Sequence, residues 1–110
     1  MSTPENKVKE WAKRKLKKEL PDVWLYAPPG GMYGQAGVPD QLGLWRGVFF
    51  AIEYKADAKK NPTDIQWVQL KHLDRQGCLA CVLRGKNSDR LDSLISIIKE
   101  KARGFKNPVQ

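Results

Sequence analysis

Asp40 and Glu53 are two carboxylates separated by a pair of apolar runs that turn about Arg46-Gly47, and Lys55 follows Glu53 by two residues. Val38 to Trp45 and Val48 to Lys55 are rich in Val, Leu, Phe, Ile and Trp, which favour strands, and Gly47 suits a tight turn between them. If Trp45 pairs with Val48, facing residues have numbers that sum to 93, and Asp40 then faces Glu53. A longer loop would shift that pairing by one. Directly opposed side chains in an antiparallel pair have Cβ atoms about 5 Å apart. Two carboxylates that close repel, or force one to stay protonated, and a divalent cation between them removes the penalty. Glu53 and Lys55 leave the same face of their strand, while Tyr54 points the other way. The expected chemistry is metal-dependent hydrolysis of a phosphodiester.

The elements that must hold this group follow from the pattern on either side. Val8, Trp11, Ala12, Leu16 and Leu20 recur at helical spacing, with Lys13, Arg14, Lys17 and Lys18 largely off that stripe, and Pro21 stops the helix. Its start is capped either by Ser2 with Glu5 or by Thr3 with Pro4 at the first helical position. Glu5 continues the stripe through Val8 and Ala12, so it leans toward the body of the domain, where a capping carboxylate is the other explanation. Val23 to Ala27 is a short strand, and a loop holding Gly30, Gly31, Gly34 and Gly37 leads to Asp40. That loop lacks the Gly-Lys-Ser/Thr ending of a P-loop. Met32, Tyr33 and Gln35 on it are either nucleic-acid contacts or packing.

After Lys55, Asp57, Lys59 and Lys60 lead to a second helix, capped by Asn61 or by Thr63 with Gln66 and ended near Gln76 by Gly77. Strand Cys78 to Leu83 and a helix from Ser88 to Arg103 complete an α-β-β-β-α-β-α order. The strand-helix-strand step places the last strand parallel to a neighbour in a mixed sheet with helices packed on it. Asp40, Glu53 and Lys55 are then expected to emerge from the sheet interior toward one exposed edge. Residues 1–104 read as one domain and 105–110 as a loose tail.

Lys and Arg number 20 against 12 acids, for a net charge of +8. The excess lies at the ends: residues 1–20 and 84–110 each hold seven basic and three acidic side chains, and the segment between them holds six of each. Basic flanks around a hydrolytic centre point to a polyanion such as DNA. No run is long enough to span a membrane and the first twenty residues are charged, so the expectation is an intracellular protein with no membrane partner. Cys78-x-x-Cys81 has no second Cys pair, and His72 is the only histidine, so zinc or redox chemistry gives way to buried structural thiols. His72 reads as surface or packing.

Pro39-Asp40 followed by Glu53-Tyr54-Lys55 resembles the PD-(D/E)xK signature of the restriction-endonuclease-like superfamily. The longer pattern is similar to its VRR-Nuc family: Gly37-Val38-Pro39-Asp40, a hydrophobic strand into Ile52-Glu53-Tyr54-Lys55, Gln66 early in the next helix, and Gly77 before a last core strand. The resemblance runs from about Glu5 to Arg84. It implies a restriction-endonuclease-like α/β fold and a magnesium- or manganese-dependent endonuclease of the small stand-alone phage type. Its substrate would be branched or structured DNA, in replication, recombination or repair. By the same resemblance, Asp40, Glu53 and the main-chain carbonyl of Tyr54 bind the metal, Lys55 activates or orients the attacking water, Gln66 positions the water or the lysine, and Glu5 reaches the metal directly or through water. Lys13, Arg14, Lys17, Lys18, Tyr33, Lys59 and Lys60 are the candidate DNA contacts. A Holliday-junction resolvase acting as a symmetric homodimer and a non-catalytic nucleic-acid-binding module are the competing readings. Trp45, Phe49 and Phe50 belong either to the core or to such a dimer's interface.

Overall fold

The computed structural model describes residues 2–29, 36–107 and 109. Helix α1 (Pro4–Glu19) starts with Thr3 as its cap, whose side chain accepts from the Asn6 amide, and Pro4 occupies the first turn, where no amide donor is needed. Strands β1 (Trp24–Tyr26), β2 (Gln41–Trp45) and β3 (Val48–Lys55) follow, then α2 (Asp64–Arg75), β4 (Leu79–Arg84) and α3 (Ser88–Lys101). The element order matches the one expected from the sequence. β2 starts at Gln41 rather than Val38, because Pro39 has no amide to give a ladder. β4 starts at Leu79, which leaves Cys78 just outside it.

The four strands lie in the order β1-β2-β3-β4, antiparallel except for β4, which runs parallel to β3 after the α2 crossover. Trp45 pairs with Val48 and Gln41 with Ile52, so the register is the one whose paired numbers sum to 93. Arg46 and Gly47 both have positive φ, 47° and 83°. That is the signature of the type I′ turn, whose twist matches the strands it joins. Arg46 is the unusual occupant, and its guanidinium lies 4.5 Å from the centre of the Trp45 ring, a cation-π contact that offsets part of its backbone cost.

Alternation along the strands gives the sheet two distinct faces. Phe50, Ile52, Tyr54, Cys81 and Leu83 turn to one face and pack with Val8, Ala12, Leu16 and Leu20 of α1 and with Leu91, Leu94, Ile95 and Ile98 of α3. Gly43 is required there because the Phe50 ring lies where a side chain would stand. Trp45 and Phe50 therefore belong to the core, at 8% and 0% exposure, and are not an interface. Phe49, half-buried, turns to the opposite face. Phe105, first residue of the expected tail, lies over Gly47 at the hairpin turn. Among the described residues, no helix is long and apolar enough to cross a membrane.

Candidate metal and catalytic centre

β3 is an interior strand, with β2 on one side and β4 on the other. Glu53 and Lys55 thus come from the sheet interior, as expected, but stand at the end of the sheet and not at an exposed edge. Neighbouring strands on both sides shield this end, and Glu53 is only 1% exposed.

Asp40 stands one residue before β2 and extends the hairpin pairing by a side chain. Its Oδ2 accepts from the Tyr54 amide at 2.9 Å, in place of the backbone acceptor a longer β2 would offer. That contact fixes the carboxylate against β3. Gly37, at φ 79°, lets the chain pass under the start of α2, since a Cβ there would fall 2.6 Å from the Ile65 carbonyl oxygen. The Gly-Val-Pro-Asp stretch is in this way keyed to both β3 and α2.

Glu5 arrives from the first turn of α1. Oxygen atoms of Glu5, Asp40 and Glu53 all lie within 4.8 Å of one another, with Glu5 the most open and Glu53 the most enclosed. Three acids from three elements in so small a space repel, and the structure shows the consequence at Glu53. Burial first, then the Asp40 carboxylate beside it, raise its pKa from the ordinary 4.5 to about 8, with Lys55 opposing and Glu5 adding to the rise. Glu53 Oε2 is buried with no hydrogen-bond partner. An all-oxygen donor set with a spare lone pair and excess negative charge fits a hard divalent cation such as magnesium or manganese.

Gln66 organises the other side of the centre. It is the third residue of α2 and closes a capping box with Thr63: its amide donates to Thr63 Oγ1 at 3.3 Å, and its Oε1 accepts from the Thr63 amide at 2.8 Å. The same Oε1 accepts from Lys55 Nζ at 3.1 Å, and Nε2 donates to Glu53 Oε1 at 3.1 Å. With both ends of the carboxamide engaged, its orientation is fixed, and Lys55 Nζ is left 3.9 Å from Glu53 Oε1. The helix cap and Lys55 therefore share one side chain.

The sequence-derived candidates separate cleanly in space. Glu5, Asp40, Glu53, Lys55 and Gln66 come together. Lys59 and Lys60 are exposed on the loop that leaves β3, and the Lys60 carbonyl accepts from Arg84 Nε at 2.9 Å. Lys13 pairs with Glu10 at 3.6 Å. Arg14, Lys17 and Lys18 are exposed farther along α1, Lys17 about 18 Å from Glu5 at helical rise. The structure does not gather these α1 cations at the centre. Tyr33, with Met32 and Gln35, lies outside the described residues. His72 is exposed on α2, and Cys78 and Cys81 are free and buried. Burial, with Asp74, pushes the Cys78 thiol up to about 11, and burial likewise raises Cys81, so neither is a nucleophile near neutral pH.

One contributor is not visible in the local sequence. Arg84 pairs with Lys55 across β3 and β4 and also bonds Asn61 Oδ1 at 3.0 Å, which holds the approach to the α2 cap against the sheet. Only the parallel register shows that position 84 belongs beside position 55. Similarly, the Tyr54 amide acts as a clamp on Asp40, a role that side-chain chemistry does not announce.

No family model and no curated protein matches the chain. A solved structure titled "VRR_NUC domain" does match, with a TM-score of 0.71 and 24% identity, covering 86% of this chain and 97% of that one. The match takes in nearly the whole of that domain. The fold expected from Pro39-Asp40 and Glu53-Tyr54-Lys55 is thus the fold observed, and the chain shares the fold of that VRR_NUC domain.

Proposed function

We propose that this protein is a divalent-metal-dependent endonuclease that hydrolyses phosphodiester bonds in DNA, with branched or structured DNA of phage replication, recombination or repair as its substrate. The observation that carries the proposal is the convergence of Glu5, Asp40 and Glu53 within 4.8 Å beside Lys55, on a fold shared with a VRR_NUC domain.

Asp40, Glu53 and the Tyr54 main-chain carbonyl would hold magnesium or manganese, with Glu5 reaching the same ion directly or through water. A cation there supplies charge to offset the negative phosphate and lowers the pKa of water. The chain's own groups do the rest. Lys55, restrained by Gln66, presents an ammonium group to the phosphate oxygens and to the attacking water. Because Gln66 also donates to Glu53, the lysine and the carboxylate keep a fixed separation while charge builds on the phosphate. Attack by water needs no covalent link to the protein.

Labelled linear, flapped, nicked and four-way DNAs incubated with magnesium, manganese or chelator test this. Cleavage of at least one branched form is expected with metal, none with chelator, and strongly reduced cleavage by Asp40→Asn or Lys55→Ala. Cutting that survives chelation would overturn the metal role. DNA binding without cutting, unchanged in Lys55→Ala, would point to a binding module, and paired symmetric cuts in four-way DNA would point to a dimeric resolvase.

A further inference from the structure

The face of the sheet that carries Glu53 and Lys55 is only half covered. Register sets Trp24, Leu44 and Phe49 in one row across β1, β2 and β3, and Tyr26, Leu42 and Ala51 in the next. One row farther stands Glu53, and residues two apart on a strand share a face, so these rows and the centre look the same way. α2 covers the β3 and β4 side, where Leu70 is buried and Gln66 meets Glu53. Among the described residues the β1 and β2 side is open: Trp24 is 51% exposed, Tyr26 47% and Leu44 43%. Trp24 and Tyr26 are stacked, their ring centres 5.8 Å apart and their planes 14° from parallel.

We propose that this open aromatic surface is a platform on which unpaired bases of the nucleic-acid substrate stack, leading a single strand toward the carboxylate centre. The inference rests on the nuclease reading above. Tyr26 lies two strands and two residues from Glu53, roughly 12 Å by strand spacing and rise, a span of a few nucleotides. The open rows carry rings and aliphatic groups and no carboxylate, while Arg46 stands at the hairpin end and Lys55 and Arg84 at the other. Those rows add no acid of their own to the path of a polyanion drawn to a chain of net charge +8. Every base has a π-face, so aromatic stacking accepts any sequence, which suits an enzyme that recognises structure. The open rows measure roughly 200 Å² of sheet plane. A stable contact with a second copy needs about 800 Å² per partner, so a short strand of bases fits this surface better than another protomer does.

Fluorescence anisotropy of a short single-stranded DNA and of a blunt duplex, both in chelator, tests the platform independently of cleavage. Trp24→Leu and Tyr26→Leu keep an apolar side chain but remove the ring, and each is expected to weaken single-strand binding about tenfold. Trp24→Phe and Tyr26→Phe are expected to stay near the wild type, and blunt-duplex binding to stay unchanged throughout. The proposal is overturned if the Leu variants bind the single strand as the wild type does, or if single strand and duplex weaken together. It is also overturned if sedimentation shows a wild-type dimer that the Leu variants split. Wild-type protein that stacks single strands yet cuts no DNA with either metal would refute the nuclease reading alone; metal-dependent cutting with intact Leu-variant binding would refute the platform alone.

Discussion

Glu53 is an acid held inside a sheet beside two other acids, and its pKa near 8 has a thermodynamic counterpart. Because the folded-state value lies above the ordinary 4.5, the folded chain keeps a proton that the unfolded chain loses. Metal-free stability should therefore be greatest below pH 4.5 as far as this group is concerned, and fall as pH rises toward about 8, by an amount on the order of a few kcal/mol. Glu53→Gln should flatten that part of a chelator-treated melting profile measured across the same pH range. A cation removes the same penalty, so magnesium or manganese should raise the wild-type melting temperature, more at pH 8 than at pH 6, and leave Asp40→Asn unmoved. At the lysine, Lys55→Ala should lower kcat by about 10²- to 10⁴-fold. Gln66→Ala should lower it by about 10- to 100-fold, as expected for a group that orients another. If Gln66→Ala matched Lys55→Ala, Gln66 would touch the reacting atoms itself.

At the scale of elements, the centre is where three element ends meet: the first turn of α1, the C-terminal end of β3 and the capped start of α2. Thr63 shows how local and functional geometry become one. Thr63→Ala should cost about 1 kcal/mol of stability, as loss of a helix cap does, and should also reduce cleavage, because Gln66 loses its restraint. Thr63→Ser should restore both, and a stable Thr63→Ala protein with full activity would separate the cap from the centre. The two strands of the hairpin and its register were legible in the sequence, and each of the two caps was narrowed to a pair of candidates, because these features rest on neighbours in the chain. Pro4 has a fixed φ, Thr63 reaches only three residues on, and a two-residue turn leaves one pairing for Trp45 and Val48. The bound of β2 was less legible, since the apolar letters Val38 and Pro39 continue the run while Pro39 cannot join the ladder.

For the molecule as a whole, the core lies on the α1 and α3 side of the sheet and the acidic cluster with Lys55 on its other face and end. Phe50→Ala empties the centre of that core and should cost about 3 to 5 kcal/mol in denaturant unfolding. The exposed pairs between α1 and α3, such as Lys99 with Glu19, add little by comparison. The identity of the acids, the lysine and the glutamine, the order of the elements and the hairpin pairing are all carried by the letters of the chain, because they depend on propensity, periodicity and turn geometry over short distances. The convergence of Glu5 on the pair Asp40 and Glu53, the burial that lifts Glu53, and the pairing of Arg84 with Lys55 are set by the packing of distant segments. So is the open side of the sheet at Trp24 and Tyr26. A local pattern shows which way a side chain points from its own strand or helix, but the field and the neighbours it meets there exist only once the sheet is assembled.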